Sequence, residues 1–355
     1  MKEPVLMKLK IVERYPRMTI LHHVDRQQQV WGTSHRTIYV RKEGKWVRAG
    51  KFPFHAPRDL FDFSRPTARA FRADKCNLYV NRLGNVLGIR AGGVFHIQEN
   101  KGMLSLFKIQ GDCVLHGSLC EDEDGAIYFG EYFMNVERGA VRIWRVSPQF
   151  DKWSVAYEFP SNSIRHVHGV YRDPFDKKAF WVAVGDFQGE CYILRTRDGF
   201  QNFERFGDGE QIWRAVNLYF TKDHICWLTD SNLELNHACR MQRKSGKLEV
   251  GMEIANSGWY GTTCSEGLHI AFTTVEKGPG ITSQFSEVLV SRDAFHWQSI
   301  YSFKKDWYKP VQVFKYGVIS TPSGEMSQHE LYISGEGLVG LDGSSMRIDI
   351  IEGEE

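Results

Sequence analysis

The 355-residue chain has no uninterrupted apolar run of the roughly 20 residues that a membrane-spanning helix needs. Its longest uncharged stretches are broken by Gly, Ser, Asn or Thr, so no membrane span is expected. Neither charge is in excess, with 45 Lys and Arg against 43 Asp and Glu. A dedicated nucleic-acid binder usually carries a strongly basic face, so no nucleic-acid partner is expected. The segment MKEPVLMKLKIVERYPRM is interrupted by Lys8, Lys10, Glu13 and Arg14 and does not read as a secretory leader. Prolines number only 11, and no Pro- or Ser-rich linker divides the chain. There are seven cysteines, an odd number, and no Cys-x-x-Cys pair, which excludes a zinc ribbon or a redox motif of that type. Several lie inside apolar runs, such as Cys191 in ECYILR and Cys226 in ICWLTD, and read as reduced, buried thiols of a cytoplasmic protein. There is no Walker loop, no GxGxxG after a strand and before a helix, and no GxSxG or HExxH pattern, so no cofactor and no metal are expected. Gly88-x-x-x-Gly92-Gly93 reads as a hairpin. Oligomeric state is not legible.

Aromatic residues, by contrast, are plentiful: 10 Trp, 14 Tyr and 23 Phe. Hydrophobic residues make up 42%, which with the near-zero net charge excludes a disordered chain. A repeat of about 48 residues runs through the sequence. HGSLCEDEDGAIYFGEYF from His116 matches HGVYRDPFDKKAFWVAVGDF from His168 in its His-Gly, apolar strand, polar turn, aromatic strand and Gly-acid pair. WRAVNLYFTKDHICWLTDS from Trp213 follows the same plan. WYGTTCSEGLHIAFTTVEKG from Trp259 keeps the strands but loses the acid, and the copy from Val311 regains a Gly-Glu pair. Third strands (AVRIWRVS, ECYILRTR, SEVLVSR) and fourth strands (WSVAYEF, FERFG, WQSIYSF) complete each unit. Four short strands per repeat predict an all-β propeller in a single domain. Inner strands are placed near residues 20, 69, 114, 164, 213, 259 and 311. That makes seven blades, with six as the alternative, and residues 1–15 are a candidate for closing the ring.

The turns between third and fourth strands carry a motif. Thr196-Arg-Asp198-Gly199-Phe-Gln-Asn-Phe203 and Ser291-Arg-Asp293-Ala-Phe-His-Trp297 both resemble the pattern S/T-x-D-x-G-x-x-W/F, and Ser147-Pro-Gln-Phe-Asp-Lys-Trp153 is a weaker copy without the acid in register. They recur at the same point of the repeat, and in this respect the chain resembles the sialidase-like, Asp-box (BNR-repeat) β-propellers over residues 112 to 303. The resemblance implies a propeller in which the box is a structural turn, and it says little about function. Sialidases also use an arginine triad, a Tyr–Glu pair and an Asp acid/base. Only Arg165 and Arg214 sit at plausible blade starts here, and the Arg-Ile-Pro segment is missing, so no sialidase site residue is carried over.

Blade topology then locates a site. Starts of first strands and ends of second strands share the face opposite the Asp boxes. Starts supply His116, Arg165, His166, His168, Trp213, Arg214, Trp259 and Tyr260; ends supply Glu131, Asp186, Asp230, Asn232 and Glu336. Adjoining loops add Tyr132, Asn135, Glu190, Asn236 and His237. His22-His23 and Lys304-Lys305-Asp306 read as ordinary solvated loops. Acids converging with Arg and His on one channel mouth are either mutually neutralised or kept for a ligand. The expected ligand is a polar or anionic glycan, or a sugar-containing small molecule. A glycosidase would use two of Glu131, Asp186 and Asp230; a uronate lyase would use His166 or His168 as base and Arg165 as carboxylate clamp. In either case Arg214 would clamp a carboxylate or phosphate, with His116, Asn232 and His237 also contacting substrate. Trp213, Trp259 and Tyr260 would stack on a sugar face. The alternative is a non-catalytic scaffold for a protein or glycan, with the same groups neutralised in ion pairs between blades under a flat surface.

Overall fold

The computed structural model describes residues 6–98 and 102–353, and it forms a seven-bladed β-propeller of four-stranded antiparallel sheets. Blade 1 holds β2–β5 (Ile20–Val24, Val30–Ser34, Thr37–Lys42, Lys45–Lys51) and blade 2 holds β6–β9 (Asn77–Val80, Val86–Arg90, Gly93–Gln98, Gly102–Lys108). Blade 3 holds β10–β13 (Cys120–Glu121, Ile127–Gly130, Val141–Val146, Trp153–Phe159) and blade 4 holds β14–β17 (Val167–Arg172, Phe180–Val184, Cys191–Thr196, Glu204–Gly209). Blade 5 holds β18–β21 (Tyr219–Phe220, His224–Leu228, Asn236–Gln242, Leu248–Ile254), and blade 6 holds β22–β25 (Ser257–Thr263, His269–Thr274, Phe285–Ser291, Gln298–Lys304). Blade 7 combines β26–β28 (Val318–Ser320, Leu331–Glu336, Ser344–Glu352) with β1 (Met7–Tyr15), which pairs antiparallel to β28 from Met7↔Glu352 to Tyr15↔Ser345. The N-terminal strand therefore closes the ring. Residues 1–5 of the segment expected to do so lie outside the described residues.

Sequence pattern tracks distance from the axis. The second strands FWVAV of β15 and IYFG of β11 are buried at every residue, because blades cover both of their faces. The outer strand WSVAYEF of β13 is largely solvated. Rings join neighbouring blades: Tyr128 lies 5.1 Å from Phe180, and Phe107 lies 4.7 Å from Trp144. Gly130 and Gly258 sit where neighbouring blades come close; a Cβ there would fall 2.3 Å from Val167 and from Leu228.

Turns are built on side-chain acceptors. Asp198 Oδ1 takes the N–H groups of Gln201 and Asn202, and Asp293 Oδ1 takes those of Phe295 and His296. In the weaker copy Ser147 Oγ donates to Asp151 at 2.6 Å, so the acid enters from a later position. Turns between first and second strands use the same device, which the repeat pattern does not reveal. Asp25, Asn81 and Asp122 each accept backbone N–H groups two and four residues on.

Four expectations need correction. Val311 begins not a strand but a short helix, α2 (Val311–Phe314), and β26 starts at Val318. The inner strand expected near 69 starts at Asn77, because the connection from blade 1 contains α1 (Arg65–Ala70), capped by Ser64. His22 and His23 are buried in β2, not solvated. Asp306 is not a free loop charge either: it binds the wholly buried Arg69, whose guanidinium also donates to the Phe314 carbonyl. That pair ties α1 to α2, and both connections stand on the face that carries the channel mouth.

Candidate functional site

At that mouth the ring opens into a concave funnel of about 810 Å³. Of the residues expected there, His116, Arg165, His166, Asp186, Arg214, Asp230, Asn232, Trp259 and Tyr260 line it. His168 lies directly behind His166, their Nε2 atoms 3.1 Å apart. Bulges in the inner strands aim several of these side chains. The register of β14 slips between Val167 and Gly169 and that of β22 between Gly258 and Tyr260, so His168 and Trp259 occupy equivalent bulged positions.

Three expected residues go elsewhere. The Glu131 carboxylate accepts from Gln110 N, Arg142 N and Trp144 Nε1, which uses it as a structural cap away from the funnel. Trp213 ends a 3₁₀ turn and stacks on Trp227 in the core at 5.4 Å. His237 faces a separate shallow depression beside Gln211 and Pro279. Asn135, Glu190 and Asn236 fold the loops themselves: Glu190 accepts from Asp186 N and Phe187 N, and Asn236 accepts from Ser231 N.

Asp186 is the hub. Its Oδ2 meets Arg165 at 2.7 Å and His166 Nε2 at 3.3 Å; its Oδ1 meets His168 Nε2 at 3.0 Å and Arg214 at 3.1 Å. Burial works against ionisation, but the two imidazoles and Arg214 hold this carboxyl well below the usual carboxylate range. Arg214 continues to Asp230 at 3.2 Å, whose other oxygen accepts from Trp259 Nε1 at 2.6 Å. The two arginines expected to clamp a ligand are thus already engaged between blades. The funnel is concave as a binding site requires, and its central charges are paired as a scaffold would pair them.

Sequence reasoning missed Glu276, Arg72, Lys75 and Lys315, which all line the funnel. Glu276 lies two residues beyond β23, as Asp186 and Asp230 lie two beyond β15 and β19, so blade 6 does not lack its acid. Its Oε1 is buried without a hydrogen-bond partner among the described residues, and burial pushes its carboxyl up against the pull of Arg214. Asp230 is likewise pushed up, to about 7, by burial against Arg214, with Glu276 adding to the rise. On the other side of the mouth, Arg72 is exposed and makes no ion pair among the described residues, and Lys75 is 3.9 Å from Asp112. Lys315 binds Glu336 at 3.1 Å, while burial and the nearby Lys315 and Lys75 bring His116 down to about 4.

The Asp230 shift has a measurable sign. Folded Asp230 keeps its proton to about pH 7, whereas the unfolded residue releases it near the ordinary 3.8. The stabilisation is therefore full below pH 4 and is lost as pH rises through 7. Urea unfolding between pH 5 and 8 should show this decline in the wild type and a flatter profile in Asp230→Asn. Parallel profiles would mean that Asp230 is ionised throughout.

Neither a protein-family model nor a curated protein matches the sequence. Solved structures do. One described as YCF48 bound to D1 peptide is 10% identical, with 98% of this chain and 96% of that chain covered at a TM-score of 0.54. The extracellular domain of BT4673 from B. thetaiotaomicron, given as a one-component system, is 10% identical, with 96% of this chain and 39% of that chain covered at a TM-score of 0.51. Both likenesses establish the propeller fold and nothing finer. No helix among the described residues is long and apolar enough to cross a membrane, and all seven cysteines are free.

Proposed function

We propose that the funnel binds a sugar-containing ligand with a carboxylate or phosphate group, on a propeller of the broader sialidase-like, Asp-box type. The observation that carries this reading is the split character of the funnel wall. The connections leading into blades 7, 2 and 3 contribute Lys315, Arg72 with Lys75, and His116, while blades 5 and 6 contribute Asp230, Glu276, Trp259 and Tyr260. Arg72 and Lys75 are the cations least committed to protein carboxylates, so they replace Arg165 and Arg214 as the anion clamp. Trp259 and Tyr260 offer ring faces and Asp230 a hydroxyl partner. A second reading, glycoside hydrolysis, is favoured by one feature: Asp230 and Glu276 are neighbouring buried carboxyls held above their ordinary range, as a general acid must be.

The test is a calorimetric and thermal-shift screen of sugar phosphates, nucleotide sugars and uronate oligosaccharides. A charge-assisted hydrogen bond contributes about 1.5–3 kcal/mol, so Arg72→Ala and Lys75→Ala should each weaken binding about 10- to 100-fold. Both residues are solvated enough for the variants to fold. Release of new reducing ends by the wild type but not by Asp230→Asn would establish hydrolysis. Binding unaffected by both cation variants would refute the clamp, and no binding of any anionic sugar would refute the reading.

A further inference from the structure

The hydrogen bonds around Asp186 fix the tautomers of both histidines. His166 Nδ1 lies 2.9 Å from the Phe133 carbonyl and His168 Nδ1 lies 2.8 Å from the Ala215 carbonyl. A carbonyl oxygen only accepts, so both Nδ1 atoms carry the hydrogen. In the neutral rings both Nε2 atoms then present lone pairs. Those lone pairs point at each other across 3.1 Å and at the two oxygens of a carboxylate at 3.0 and 3.3 Å. Four acceptor atoms therefore converge with no donor among them. Such a cluster is repulsive unless a cation joins it, either as the Nε2 protons by which the imidazoles hold Asp186 ionised or as a metal ion in their place.

We propose that His166, His168 and Asp186 form a binding site for a divalent first-row transition metal ion, with Zn²⁺ as its representative. The distances suit one. Ligands about 2.0–2.1 Å from a tetrahedral ion are about 3.3–3.4 Å apart, so the two Nε2 atoms at 3.1 Å and the His168 Nε2–Asp186 Oδ1 pair at 3.0 Å need only a few tenths of an ångström of expansion, while His166 Nε2 lies 3.3 Å from the other oxygen, Oδ2. The three ligand groups lie within 4.8 Å of one another. An Nδ1–H bond to a backbone carbonyl is the usual way a metal-binding imidazole is oriented. Two imidazoles with one carboxylate favour zinc, iron or cobalt over magnesium or calcium, which take oxygen donors.

The surroundings support the site in two further ways. Arg165 and Arg214 each hold a different oxygen of Asp186, which fixes the carboxylate plane and leaves each oxygen a second lone pair for the ion. Arg214 is held in turn by Asp230, 3.2 Å from its Nε. His166 and Asp186 also line the funnel, so the remaining coordination position opens where a ligand oxygen or water can reach it. The sequence pattern conceals this site because two ligands follow a bulge spacing in β14 and the third comes from the end of β15. The inference is independent of what the funnel binds.

The experiment uses the full-length protein stripped with a chelator and titrated with Co²⁺, followed by Zn²⁺ competition. Visible ligand-field bands should saturate at one equivalent and be bleached by Zn²⁺, and Mg²⁺ or Ca²⁺ should not compete. His166→Ala and His168→Ala, each shown to be folded by circular dichroism, should weaken binding at least about 100-fold, while Arg165→Ala should keep the stoichiometry. Because His168 is buried, ring ¹⁵N spectra of the wild type give a second measurement. Both Nε2 signals should move on Zn²⁺ addition. No saturable cobalt or zinc binding, or a proton on either Nε2 that millimolar Zn²⁺ does not displace, overturns the proposal. So does full binding by the folded double variant.

Discussion

Asp186→Ala is expected to cost about 3–5 kcal/mol of folding stability, read as a lowered midpoint in urea at neutral pH, because it strands buried cations. Asp186 is nine-tenths buried, as is Arg214, and four side chains, from β14 and the connections before and after blade 4, converge on its two oxygens. Removing the carboxylate leaves the guanidinium of Arg214 with Asp230 alone and deprives Arg165 of its charged partner. Removing Arg165 instead should cost far less. Asp186 would retain Arg214 and both histidines, and the Arg165 guanidinium stands at the edge of the funnel with its side chain 14% exposed. The asymmetry between the two variants is the diagnostic. A double-mutant cycle should give a coupling of about 0.5–3 kcal/mol, the range for residues in one ion network. A cost below about 1 kcal/mol for Asp186→Ala would mean that water solvates the hub and that the blades are not pinned there.

The same network shows what a sequence can disclose. The repeat is written in local terms, namely short strands, turn acceptors and rings at blade contacts, so the blade count could be read directly. The turns at Asp198 and Asp293 were legible because each needs its acceptor at one fixed offset. Where the chain leaves the repeat, the reading fails. Arg72 and Lys75 sit in the connection from blade 1 to blade 2, which has its own helix and no counterpart in other blades. Glu276 was hidden by aligning on a Gly-acid pair; Val275 precedes it, and counting two residues past the strand recovers it. His22 looked solvated beside His23 because a bulge at Leu21/His23 turns both rings inward, breaking the alternation on which polar residues are assigned to solvent. Glu131 and Trp213 erred the other way. They occupy the right repeat positions, but a cap and a core stack claim their polar and aromatic surfaces.

Deleting residues 1–15 should be more damaging still, because it opens the ring. β1 supplies the outer strand of blade 7, and its Tyr15 ring lies 5.5 Å from Trp46 of blade 1 and 6.5 Å from Tyr332 of β27. Without it, β28 becomes an edge carrying Met346, Ile348 and Ile350, all wholly buried in the intact protein. An exposed apolar edge of nine residues is a template for association. The deletion is therefore expected to lower Tm by at least about 10 °C, the scale of several kcal/mol in a chain of this size, and to produce concentration-dependent oligomers in sedimentation. A circular permutant separates closure from the mere loss of residues. Leu6 and Gly353 are already hydrogen-bonded through backbone, so a short linker can join the chain at these two residues. New ends can be placed in the exposed turn after Pro160, between blades 3 and 4. That permutant keeps every strand pair and should melt within a few degrees of the wild type. If it melts as low as the deletion variant, chain continuity elsewhere stabilises the ring and the β1–β28 seam does not.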